Sequence, residues 1–133
     1  MEIPKNVKTY DLSTSTVWKD EDGIWISLPK PGVPPKLSRE QMLEETEKLK
    51  DIFGRQPVCL IGFGNPEAPA PNREERELIA EIFPQIVKAM AIVTTSPVSR
   101  MIANLFFGLK PPTYPTKMFS TFEEAKEWIM QYK

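Results

Sequence analysis

Thr94-Thr95-Ser96, followed by Ser99 and Arg100, is the group of side chains in this sequence best suited to holding a ligand. The hydroxyl residues end an apolar stretch of strand character, residues 88–94, and Pro97 takes the favoured first position of a helix capped by Ser96. A helix start offers unpaired N–H groups and the positive end of a dipole, and both attract an anion. The hydroxyls of Thr95 and Ser99, with the Arg100 guanidinium one turn in, would complete a cradle for a phosphate or carboxylate. The same residues are also accounted for by a plain cap at Ser96 and a surface ion pair at Arg100, since every helix needs a cap.

Other arrangements are poorer. Gly62-Phe63-Gly64 begins like a dinucleotide fingerprint, but position 67 is Glu and prolines at 66, 69 and 71 replace the tight strand-to-helix turn. The glycines are then expected to serve unusual backbone angles as the chain leaves the sheet. Cys59 lies in an apolar strand and reads as a buried, inert thiol. Glu74-Glu75 and Glu123-Glu124 fall in first turns of helices, where they complement the dipole rather than form an acid/base pair. Phe107 is about 200° around its helix from Leu105, off the apolar stripe and on the side of Arg100 and Ala103. It serves either a partner contact or a helix covered on both sides. Tyr114, in the stiff Pro111–Pro115 loop, adjoins that face and completes the candidate interface of Ala103, Phe107 and Tyr114.

The elements that would position these residues follow from pattern. Residues 9–19 and 24–28 read as two strands joined by the Asp20-Glu21-Asp22-Gly23 turn, with Trp18 and Trp25 facing each other near its tip. Ser38 with Gln41 forms a capping box for a helix that Gly54 ends, and residues 57–63 follow as a buried strand. Asn72 with Glu75 opens a second helix that Pro84 is expected to stop. After the strand at 88–94 come the helix at 96–109, a short strand at 116–119 and a last helix opened by Thr121, burying Ala125, Trp128 and Ile129. The order ββαβαβαβα predicts an α/β domain of about five strands and four helices. Its sheet is mixed, with the hairpin as the antiparallel part and right-handed parallel crossovers after it.

Composition narrows the chemistry. The 133 residues predict one domain, 1–133. Seventeen Lys and Arg balance 18 Asp and Glu, which leaves no footprint for nucleic acid or an acidic membrane. The absence of histidine removes the commonest general base and the usual metal ligand, so no metal or cofactor is expected. A single cysteine excludes an internal disulfide and suits a reducing compartment, and no apolar run approaches a membrane span; a cytoplasmic location is expected.

The Asp-Gly hairpin, the strand–helix alternation, the helix at 96–109 and the closing Lys117-Met-Phe-Ser-Thr-Phe-Glu-Glu-Ala-Lys-Glu-Trp-Ile129 resemble small bacterial STAS-like domains, which share the anti-sigma-factor-antagonist fold. The resemblance implies a regulatory or binding module with no catalysis of its own. In the true antagonists a phosphorylatable serine begins the helix after the central strand. Residues 62–73 here contain no serine or threonine, so the fold transfers and the phosphorylation switch does not. The expectation is therefore a non-enzymatic interaction module acting on an unknown protein partner or on itself. The alternative is a small-anion binder, or weak enzyme, at the Thr94 to Arg100 site.

Overall fold

The computed structural model describes residues 1–32, 37–64, 72–97, 100–101 and 112–133. Six strands form one sheet in sequence order: β1 (Thr9–Asp11), β2 (Ser15–Lys19), β3 (Trp25–Pro29), β4 (Val58–Phe63), β5 (Val87–Val93) and β6 (Thr116–Phe119). The first three pair antiparallel, and β3 to β6 pair parallel, giving the mixed sheet expected. Three helices are complete among the described residues: α1 (Arg39–Ile52), α2 (Arg73–Ile86) and α3 (Phe122–Ile129), the last running into a short 3-10 turn, Met130–Tyr132. The helix expected at 96–109 is represented by its opening, where Pro97, Arg100 and Met101 are helical. Its remainder, with Ser99, Ala103 and Phe107, lies outside the described residues.

Six strands stand where five were expected because residues 9–19 are not one strand. The chain turns at Leu12–Thr14, with the Leu12 N–H donating to the Ser15 carbonyl at 2.8 Å. The turn is held from outside itself: the Ser13 N–H donates to the carboxylate of Glu45, 32 residues away on α1. Pro84 does not end α2 either. In the last turn its ring removes one backbone bond, and burial of Ile86 and Val87 carries the helix on to Ile86.

The helices lie on both faces. Met42 and Leu49 of α1 and Leu78, Ile82 and Ile86 of α2 pack with Trp25, Leu60 and Val87. On the opposite face Ala125 and Ile129 of α3 pack with Trp18, Ile61 and Ala91. Alternation along β4 sends Cys59 and Ile61 one way and Leu60 the other, so a strand covered on both sides reads as an unbroken apolar run. Trp18 and Trp25 consequently do not face each other. The turn sets Lys19 opposite Trp25 and Trp18 opposite Ile26, which places the two indoles on opposite faces of the sheet. Trp128, expected in the core, is half-buried at its margin.

The helix ends follow local chemistry. Ser38 and Asn72 each form both bonds of a capping box, with Gln41 and Glu75. Gly54, at φ +73°, closes α1 in a Schellman arrangement: its N–H donates to the Asp51 carbonyl and that of Arg55 to the Lys50 carbonyl, at 3.2 and 2.7 Å. Asn72→Ala is expected to cost about 1 kcal/mol by urea unfolding, because the Glu75 N–H loses its acceptor at an exposed helix start.

Candidate functional site

The parallel strands β4, β5 and β6 end at one edge of the sheet, and a cleft of about 500 Å³ opens beyond their carboxyl ends. Open α/β sheets place ligands there because the chain leaves each strand into a loop or helix start that can face a bound molecule. Pairing continues past the strands, with the Gly64 N–H donating to the Val93 carbonyl and the Thr94 N–H to the Phe119 carbonyl, both at 2.9 Å. Gly64 is needed for space: a Cβ there would approach the Thr94 Cβ to 3.3 Å. Neither Gly62 nor Gly64 has positive φ, so their role is close approach to β5 rather than the unusual backbone angles expected.

Two junctions supply the polar lining. At the first, Thr94 Oγ1 accepts from the Ser96 N–H at 3.3 Å, and the Arg100 N–H donates to the Ser96 carbonyl at 3.0 Å, the first bond of the helix opening at Pro97. At the second, Thr121 Oγ1 accepts from the Glu124 N–H at 3.3 Å and donates to Glu124 Oε1 at 3.0 Å, which caps α3. The hydroxyls of Thr94 and Thr121 thus serve their own helix starts, whereas Thr95 and Ser120 are exposed at the cleft. The rings of Phe63 and Phe122 form an apolar wall, 11° from parallel with centroids 6.1 Å apart. Glu123 is the one acidic side chain among the described lining residues, which also include Met1 with its α-amino group.

Of the residues singled out from sequence, Thr95 and Ser96 line this cleft. Arg100 is half-buried one turn into its helix, outside the lining, and Ser99 lies outside the described residues. Tyr114 is half-buried against the α1/α2 side of the core, and burial pushes its hydroxyl up to about 12. Ala103 and Phe107, the other candidate interface residues, lie outside the described residues. Sequence reading missed Ser120 to Glu123, although the strand end at Phe119 obeys the same rule that singled out Thr94. Cys59 is buried as expected, and desolvation pushes its thiol up, away from the reactive thiolate. Among the described residues no group of His, Cys, Asp or Glu could hold a metal, and no helix is long and apolar enough to cross a membrane.

Residues 66–133 match a family described as a domain of unknown function, DUF7793. The chain belongs to the DUF7793 family. The matched region holds α2, β5, β6 and α3, and with them both hydroxyl junctions of the cleft; β4, with Phe63 and Gly64, precedes it. No curated protein matches the chain. Among solved structures, a protein of unknown function from Arthrobacter sp. FB24 is similar over 85% of this chain and 90% of its own, at 17% identity and a TM-score of 0.28.

Proposed function

We propose that this DUF7793 protein is a non-enzymatic regulatory module, STAS-like in kind and cytoplasmic, that works by binding at the carboxyl ends of its parallel strands. The cleft there carries the reading: its volume lies in the range of small-molecule sites, and its surface combines hydroxyls with an aromatic wall. Such a lining orients and holds a molecule. The Thr121 hydroxyl caps α3 and the Thr94 hydroxyl accepts from the Ser96 N–H in the turn before the helix at Pro97, a folding role rather than a reacting one.

The module communicates through the helix opening at Pro97 and the loop carrying Tyr114. Ala103, Phe107 and Tyr114 are its proposed contact residues, toward a protein partner or a second copy. Native mass spectrometry at several concentrations tests both halves. A dimer or a co-purifying protein, lost on Phe107→Glu without loss of fold, supports the contact surface; a discrete small mass on a monomer supports the cleft alone. If Phe107→Glu leaves both fold and native mass unchanged, the contact role is lost.

A further inference from the structure

We propose that residues 1–6 form a displaceable strap on the cleft, with the Met1 side chain in space that a ligand would take. This rests on the reading of the cleft as a binding site and adds its regulation: the first residues of the chain obstruct the site until a ligand moves them aside.

β1 lies at one edge of the sheet, and β5, whose end runs into Thr94 to Ser96, lies four strands away. Four strand spacings are about 19 Å, and the residues before Thr9 reach at most about 28 Å when fully extended. Met1 nevertheless lines the cleft together with Phe63, Thr94 and Phe122. The segment therefore crosses the sheet with little chain to spare. It does so on the α3 side, where Val7 packs against the core.

Its hold is weak. Residues 1–6 are all exposed, Met1 at 54% and Ile3 at 40%. Among the described residues, none of the six forms a hydrogen bond or ion pair with the rest of the chain. A segment secured by Val7 at its inner end and Met1 at its outer end opens at small cost. Met1 suits the outer hold, since an unbranched thioether fills irregular apolar space and is attracted to aromatic rings such as those of Phe63 and Phe122. Occupancy by Met1 lowers the apparent affinity of a ligand in proportion to the fraction of molecules whose cleft is open. Loosening the strap should then tighten binding without adding a contact. Pro4→Gly does this from outside the cleft, because glycine gives the displaced segment more conformations than proline allows.

NMR on the labelled full chain tests this, with benzyl alcohol as the probe. In the free protein the Met1 ε-methyl is expected to show cross-peaks to side chains that line the cleft. Benzyl alcohol should remove those cross-peaks while moving the amide signals of Thr95, Ser120 and Phe122. Pro4→Gly should bind the probe about threefold more tightly. If the probe binds but the cross-peaks are absent from the free protein or persist at saturation, the strap is overturned and the cleft stands as a binding site. Equal affinity in the native and Pro4→Gly proteins overturns the strap in the same way. If benzyl alcohol moves none of those amide signals in either protein, the cleft itself is overturned as a ligand site, and with it the strap as its regulator.

Discussion

Trp18→Ala is expected to destabilise the protein by about 3–5 kcal/mol, the range for removing a large buried aromatic side chain. Trp18 is fully buried on the α3 side of the sheet, among Ile24, Ile26, Ile61 and Ile129. Alanine leaves a cavity where β2, β3, β4 and α3 meet, which the rest of a close-packed core fills only in part. Set against the 5–15 kcal/mol typical of a whole domain, that loss should lower the thermal midpoint by roughly 10–20 °C. The indole also carries a cost of its own: among the described residues Nε1 has no hydrogen-bond partner. An orphaned buried donor costs about 1–3 kcal/mol. Trp18→Phe keeps much of the ring and removes that donor, so it should lose far less than the alanine variant, about 1 kcal/mol or less. Urea unfolding with an unchanged slope measures both. Equal losses in the two variants would mean that the N–H is satisfied and that the whole ring matters.

Lys126→Met should have the next largest effect. The Lys126 ammonium on α3 donates to Asp20 Oδ2 and, at 2.8 Å, to Asp22 Oδ2, tying the helix to the β2–β3 turn from more than 100 residues away in sequence. The Lys126 and Asp20 side chains are only 22% and 15% exposed, so this pair is screened less than an ordinary surface bridge. Asp20 is already the organiser of its turn, since its Oδ1 accepts from the N–H groups of Asp22 and Ile24. Removing the amine leaves the half-buried Asp20 without its counter-charge and should cost about 2 kcal/mol at pH 7, in the range of hydrogen bonds to charged groups.

The pH dependence of that loss has a defined sign. The hydrogen bond from Lys126, and then its charge, hold the Asp22 carboxyl below its ordinary value. A group depressed on folding stabilises above its unfolded pKa, about 3.9, and loses that contribution as pH falls through the folded value. Partial burial works against the charge on Lys126, but the hydrogen bonds to Asp20 and Asp22 outweigh it and hold the amine above its ordinary value. That contribution is complete below about pH 10.4 and fades as pH rises through the folded value. The difference between native and Lys126→Met proteins should therefore be flat from about pH 5 to 10 and shrink on either side. Unfolding series at pH 3 and pH 7 would show it; an equal difference at both would mean that the loss does not come from the ion pair with Asp20 and Asp22.

Much of the local structure was legible because it depends on residues within one turn of each other. Ser38 and Gln41, Asn72 and Glu75, and Thr121 before Glu124 cap their helices through bonds that span three residues, so pattern alone locates them. Gly54 ends α1 for an equally local reason, its tolerance of positive φ. Alternating parallel strands and helices located the strand end at Thr94 to Ser96, and with it one wall of the cleft.

The misses have one cause. Glu45 and Thr46 are buried on α1 although their types predict exposure; the Glu45 carboxylate faces the β1–β2 turn, and the Thr46 hydroxyl donates back to the Met42 carbonyl. Nothing within one turn of Glu45 announces Ser13. Which faces Trp18 and Trp25 take depends on hairpin register, since a slip of one residue sends every side chain to the other side. Sequence by itself determined the α/β class of the fold, the helix caps and the histidine-free inventory of groups at its disposal. Tertiary structure alone decided that Ser120, Phe122 and Glu123 stand opposite Thr95 and Phe63, because only the parallel register of β4, β5 and β6 brings those distant strand ends to one edge and sets a carboxylate among the hydroxyls.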